Sequence, residues 1–157
     1  MSSFRSFVGR HPRIATSLAF GLAATALVYV SWIPGPMGRL EGYRLLLAAG
    51  FTHAFAGAIS GPRVIYPSRQ PKLLHAGLWG AGASLLALLL ISFMLTIDIV
   101  RTGRETTHPF ILVFLTFVFS FLGAGWAHML LSAAIGCGLH AVAAQSPSTE
   151  GRSLSPD

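Results

Sequence analysis

The chain has 157 residues, of which 53% are hydrophobic and 10% are charged, whereas soluble domains carry roughly 25% charged residues. Its net charge of +6 comes from basic residues that stand singly between apolar runs. This pattern excludes a nucleic-acid-binding face and is typical of charges that orient a protein in a membrane. The single cysteine excludes an internal disulfide bond.

The N-terminal part predicts a basic segment followed by a first membrane span. Residues 1–13 hold three arginines and no acidic residue, residues 14–32 are uncharged, and a Pro-Gly-Pro sequence at residues 34–36 ends this run. The small residues at 24–26 also suit a signal-peptide cleavage site, and an acid-free N-terminus suits an organelle transit peptide. Because apolar residues continue through Val30, we favour a span or signal anchor.

The second and third apolar runs carry small residues at helical spacing. We predict spans over residues 43–60, ended by Pro62, and over residues 73–97. Small residues three or four positions apart share one helix face and let membrane helices approach closely. The predicted helix-packing residues are Gly50, Ala54, Gly57, Gly61, Gly77, Ala81 and Ser84. We expect the second and third spans to pack closely against each other through glycine and alanine.

The longest apolar run covers residues 109–144 and contains no Asp, Glu, Lys or Arg. A single helix of this length would extend roughly 54 Å, which exceeds the ~30 Å hydrocarbon core of a bilayer. The run is therefore one kinked or protruding helix, or two spans that break at Gly123–Gly125. Each half would be shorter than the ~20 residues that a span usually requires, so we favour one helix.

These runs predict an all-α, multi-pass transmembrane helical bundle over residues 14–144. It has four spans, or five if the last run breaks. Residues 145–157 are predicted to be a disordered tail. Basic residues are more frequent in the N-terminal segment, the second loop and the tail than in the other loops. We therefore expect a plasma or inner membrane location with both termini in the cytoplasm.

Histidines are the candidate cofactor ligands, since no predicted span contains an internal charged residue. This absence argues against a proton relay and against acid–base catalysis by paired carboxylates. His75 and His128 are predicted to lie near one depth on facing helices, where two neutral imidazoles could ligate haem b. The opposing interpretation is that both are interfacial histidines, and that His53 forms a hydrogen bond to a neighbouring helix.

Two further patterns lie in the last run. His128, Ser132, Gly136 and His140 recur at four-residue spacing. We call the three polar residues of this series, His128, Ser132 and His140, the polar stripe. It would line a pore, hold a metal, or face the bundle as a set of small residues, and we favour the last interpretation. A series of phenylalanines that starts at Phe110 predicts a lipid-facing or partner-facing surface.

The leading functional hypothesis is a non-enzymatic accessory or structural protein, or a transport-related helical bundle, with no resident cofactor or metal. Its expected partners are the lipid bilayer, other membrane subunits or further copies of the chain, and no nucleic acid. The alternatives are a b-haem electron-transfer subunit that uses His75 and His128, and a small passive channel along the polar stripe.

Overall fold

The computed structural model describes residues 2–32, 39–68, 70–102 and 108–145, and these residues form helices and no strands. The chain is therefore an all-α bundle, as predicted. The predicted tail, apart from Gln145, lies outside the described residues. The helices are α1 (Ser2–Arg10), α2 (Pro12–Trp32), α3 (Arg39–Ile65), α4 (Lys72–Arg101), α5 (Pro109–Ser120) and α6 (Trp126–Ala144), with a π-helical turn at Phe121–Gly125.

Four helical stretches within the described ranges are long and apolar enough to cross a membrane: Pro12–Val30, Tyr43–Ile65, Lys72–Arg101 and Pro109–Ala144. The last stretch joins α5, the π turn and α6 into one uninterrupted helix. The long apolar run is therefore one span and not two, and the prediction of four spans is confirmed. The protein is a helical membrane protein.

The helices pack in chain order, with α2 on α3, α3 on α4, and α4 on both α5 and α6. Helix α6 also contacts α1, α2 and α3, and these contacts close the bundle. Small side chains dominate the core where α3 meets α4, including Ala56, Ala83 and Ala87. Since these side chains are short, the helix backbones come close together, as in other membrane bundles.

The glycine-rich face of α3 packs against α2 and not against α4. A Cβ atom on Gly57 would lie 2.7 Å from the carbonyl oxygen of Thr16. A Cβ atom on Gly61 would lie 2.8 Å from the carbonyl oxygen of Pro12. On the same face, Gly50 meets Thr25 and Ala54 meets Gly21.

The small face of α4 is divided between two neighbours. Gly77 approaches the sulfur atom of Cys137 on α6, Ser84 reaches His53 on α3, and Ala81 is half-buried. The second and third spans do pack against each other, through alanines such as Ala56 and Ala83, but the glycine-rich face of α3 is covered by α2. Spacing along a helix identifies a face that permits close approach, but a distant part of the chain determines which helix covers it.

Helix α3 continues past Pro62, which we predicted to end it. The N–H of Tyr66 donates to the carbonyl oxygen of Pro62 at 2.9 Å, as in a regular helix. Proline removes one helical hydrogen bond and crowds the preceding turn. Val64 and Ile65 are completely buried in the same core as Val8 of α1, and this apolar burial offsets the cost of the proline.

The N-terminal basic segment, for which we predicted no structure, is folded onto the bundle. Residues 2–10 form α1, and α2 begins at Pro12 immediately afterwards. The side chain of Val8 is completely buried, and the hydroxyl of Tyr66 donates to the carbonyl oxygen of Gly9 at 2.6 Å. Phe4, Phe7 and Val8 have helical apolar spacing, which was the signal available in the sequence.

Candidate functional site

The structure brings two histidines into direct contact in the middle of the bundle. His53 lies near the centre of the apolar part of α3, and His128 lies near the centre of the long helix 109–144. Their ring centroids are 4.9 Å apart, and the ring planes are inclined by 34°. The side chains are 1% and 6% exposed, respectively. Polar side chains at this depth of a membrane protein are costly and are often functional.

Both ring nitrogens of His53 have partners within the bundle. Its Nδ1 lies 2.9 Å from the carbonyl oxygen of Ala49. Because a carbonyl only accepts hydrogen bonds, Nδ1 is assigned the hydrogen, and Nε2 is then the acceptor. The hydroxyl oxygen of Ser84, which is completely buried, lies 3.4 Å from Nε2 and donates to it. These contacts hold the His53 ring between α3 and α4.

The His128 ring has no such partners. Among the residues that the structure describes, none forms a hydrogen bond to this ring, which packs at a tilt against the ring of His53. A neutral imidazole offers one donor and one acceptor. Neither nitrogen of His128 has a hydrogen-bond partner among the described residues, and the residue lines an open space, so both nitrogens are available to a ligand.

A cavity of about 270 Å³ lies beside the two histidines. We call it the central cavity. Leu45, Leu88 and Ile91 form part of its apolar wall, and its polar groups are His53, His128 and Ser120. A mostly apolar cavity with a few convergent polar groups is typical of a small-molecule site.

The π turn forms one wall of this cavity. The N–H of Trp126 donates to the carbonyl oxygen of Phe121, five residues earlier. In an α-helix the acceptor would be the residue four positions earlier. Gly123 lines the cavity, and a Cβ atom built on it would meet no atom within 4 Å. Gly125 instead faces Leu88 so closely that its Cβ atom would lie 2.8 Å from that side chain. The cavity wall is therefore open at Gly123, whereas Gly125 allows the last helix to pack closely against Leu88 of α4.

His75, the other predicted haem ligand, is far from this site. It lies in the first turn of α4, where its Nδ1 donates to the carbonyl oxygen of Pro71 at 3.1 Å. His128 lies near the level of Ser84, because both contact His53. Ser84 lies nine positions after His75 along α4, roughly 13 Å of helix rise. The structure does not bring His75 and His128 together, and haem binding stays a prediction.

The remaining members of the polar stripe lie in helix contacts. The carbonyl of Ser132 faces Gly80 of α4 closely enough that a Cβ atom there would overlap it. The Nδ1 of His140 donates to the carbonyl oxygen of Ile65 at 2.8 Å. The stripe thus faces the bundle, with His128 alone of its three residues at the central cavity. A channel along the stripe stays a prediction.

Comparison with known proteins identifies no relative: no protein-family model, no curated protein and no solved structure matches the chain. The central cavity and its two histidines are therefore the basis for assigning a function. Ser84 was predicted as a packing residue only. His53 was predicted to form a hydrogen bond to a neighbouring helix, and its contact with Ser84 of α4 agrees with that interpretation. No spacing in the sequence signals that His53 meets both Ser84 and His128.

Proposed function

We propose that this membrane protein is a non-enzymatic helical bundle that binds a small lipid-soluble molecule in the central cavity. One observation carries the proposal. His128 is 6% exposed and lines an apolar cavity, and no described residue forms a hydrogen bond to its ring. A ligand with one polar group would satisfy this imidazole and fill the apolar space around it.

The dimensions and chemistry of the cavity indicate the class of ligand. An apolar cavity of about 150 Å³ accepts benzene, so a cavity of about 270 Å³ suits one substituted ring. His128 donates from one nitrogen and accepts at the other. The ligand would therefore be a single-ring compound with a hydroxyl or a carbonyl group, of the phenol or quinone class.

The surroundings of the cavity favour binding or transfer over catalysis. The described residues that line it include no Asp, Glu, Lys or Arg. Phe119 and Gly123 line the cavity and are also exposed on the outside of the bundle. A molecule dissolved in the bilayer would thus enter from the lipid side. This suits an accessory or transport-related role, with other membrane subunits or further copies of the chain as partners.

We also propose that both termini lie in the cytoplasm, in a plasma or inner membrane. Four crossings return the chain to its starting side, and the end of the bundle that carries the N-terminus is rich in arginine. An excess of Lys and Arg marks the cytoplasmic side.

A photoreactive alkylphenol tests the ligand site. The full chain is reconstituted in lipid nanodiscs and irradiated with a diazirine-bearing alkylphenol, and labelled peptides are identified by mass spectrometry. Labels should fall on the residues around the cavity. Saturable labelling should decrease about threefold to tenfold in His128→Leu, the range for losing one hydrogen bond. The matched control, His75→Leu, makes the same change outside the cavity and should label normally.

A second variant pair tests the cavity itself. Gly123→Leu places a side chain at the cavity wall, whereas Gly82→Leu makes the same change on α4 away from it. A Cβ atom at either position meets nothing within 4 Å, so both proteins should fold. Labelling should decrease only in Gly123→Leu. Labelling that is non-saturable, or that is equal in all four variants, would overturn the proposal.

A further inference from the structure

The end of the bundle that carries the N-terminus is uniformly basic in the part of the chain that the structure describes. It is formed by α1, the start of α2, the end of α3, the start of α4 and the end of α6. Its described charged residues are Arg5, Arg10, Arg13, Arg63 and Lys72. The described acidic positions, Glu41 and Asp98, lie at the opposite end. An anionic partner would meet no repulsion from a described acidic residue here.

Two of these arginines border one cleft at the corner between α1 and α2. The cleft has a volume of about 300 Å³ and is lined by Arg10, His11, Pro12, Arg13, Ile14 and Pro62. Both arginines are exposed, so their guanidinium groups are accessible to a ligand. Guanidinium groups form bidentate hydrogen bonds with phosphate oxygens. The cleft therefore has the chemistry of a phosphate site.

The cleft lies where the first candidate span begins, at Pro12, and lipid headgroups are expected at the end of a span. Helix α1 is fixed to the bundle by the buried Val8 and by the hydrogen bond from Tyr66 to Gly9. Phe4 and Phe7 of the same helix are 58% and 37% exposed. Exposed aromatic residues beside basic residues on one helix are typical of a helix that lies in the membrane interface. The apolar side chains then enter the acyl boundary, and the arginines reach the phosphates.

We propose that the α1–α2 cleft binds the phosphate of an acidic phospholipid, with Phe4 and Phe7 against its acyl chains. An acidic lipid is favoured over a zwitterionic one, since no described acidic residue at this end would pair with a choline group. This site is separate from the central cavity and does not depend on the ligand proposed there.

Native mass spectrometry of the full chain tests this site. The protein is released from micelles that contain equal amounts of phosphatidylglycerol and phosphatidylcholine, and the retained lipid is counted. Wild type should retain phosphatidylglycerol preferentially. The double variant Arg10→Gln/Arg13→Gln should lower that retention about 25-fold, or about fivefold for each arginine.

The control variant removes the same charge from the same end. Arg63→Gln/Lys72→Gln lies outside the cleft, and Arg63 already stacks on the ring of Trp79 at 4.5 Å. The control variant should retain as much phosphatidylglycerol as wild type. The conservative variant Arg10→Lys/Arg13→Lys should retain most of the lipid that wild type retains. Equal losses in both Gln variants would indicate a diffuse charge effect and overturn the site. Equal retention of phosphatidylcholine, or displacement of the lipid by inorganic phosphate, would overturn it as well.

Discussion

The imidazole rings of His53 and His128 contact each other between α3 and the long last helix, with centroids 4.9 Å apart. The two residues are not equivalent. His53 is held by Ala49 and Ser84, whereas none of the described residues forms a hydrogen bond to the His128 ring. His53 is thus held in place by its neighbours, whereas the ring nitrogens of His128 have no partner among the described residues.

This difference predicts unequal effects on ligand binding. His128→Leu should weaken binding of the alkylphenol about threefold to tenfold, because a direct hydrogen bond is lost. His53→Leu should weaken it less, because both nitrogens of His53 already have partners. Dissociation constants for the two variants in nanodiscs provide the comparison. A larger effect at His53 would contradict the assigned roles.

The contact between α4 and α6 predicts different outcomes for two glycines of one helix. A Cβ atom on Gly136 would lie 2.7 Å from the carbonyl oxygen of Ala76, whereas one on Gly138 meets nothing within 4 Å. Gly136→Ala should therefore destabilise the protein by about 1–3 kcal/mol, the usual cost of overpacking. Gly138→Ala should leave the melting temperature unchanged or raise it. Thermal unfolding in micelles measures both, and equal melting temperatures would refute the packing.

The hydrogen bond from Thr16 to α3 is predicted to make a small contribution to the free energy of unfolding. The Thr16 hydroxyl lies 2.7 Å from the carbonyl oxygen of Gly57 on α3, besides its contacts within α2. Thr16→Val keeps the shape and removes the donor, which should cost about 0.6 kcal/mol, the average for such bonds in membranes. Thr116→Val is the control, since among the described residues that hydroxyl donates only to Leu112 of its own helix. The two melting temperatures should differ by one or two degrees, roughly.

Tyr66 predicts how firmly α1 is attached. Tyr66→Phe removes the hydrogen bond to Gly9 and should raise the rate of trypsin cleavage near Arg10 about threefold to tenfold. Tyr43→Phe is the matched control, because Tyr43 is exposed on the other end of α3. An unchanged cleavage rate in Tyr66→Phe would show that burial of Val8 alone holds the helix.

The four spans predict where new cysteines react. In a Cys137→Ser background, Ser3→Cys and Gln145→Cys should react with a membrane-impermeant maleimide from the same side of sealed vesicles. Asp98→Cys, at the other end of α4, should react only from the opposite side. Labelling of positions 3 and 145 from opposite sides would mean an odd number of crossings.

The architecture was predictable because it depends on local composition. Uncharged runs of sufficient length determine how many helices cross a bilayer, and the run 109–144 proved to be one helix, as favoured. The extension past Pro62 was not predictable, since it depends on burial of Val64 and Ile65 in a core that includes Val8 of α1. Which helix packs on each glycine-rich face was also not predictable, because that too depends on contacts between distant parts of the chain.

The site was predictable only in part. His128 was identified as a candidate, but counting residues along a straight helix paired it with His75. The helix contacts instead place His128 at the level of Ser84 and against His53. No local pattern in the sequence contains that relationship, because it depends on which helices are neighbours. The central cavity also depends on the π turn, which the sequence indicated only as a possible break at Gly123–Gly125.

The π turn at Phe121–Gly125 also sets the rotational phase of the last span. One residue more or less turns an α-helix by about 100°, so everything after this turn is oriented by the extra residue that it contains. Deleting Gly123 would turn α6 about its own axis. The imidazole of His128 would then move away from His53, and Gly136 would leave its contact with Ala76. The extra residue thus fixes two contacts at once: the position of the His128 ring beside His53 and the close packing of Gly136 two helical turns away.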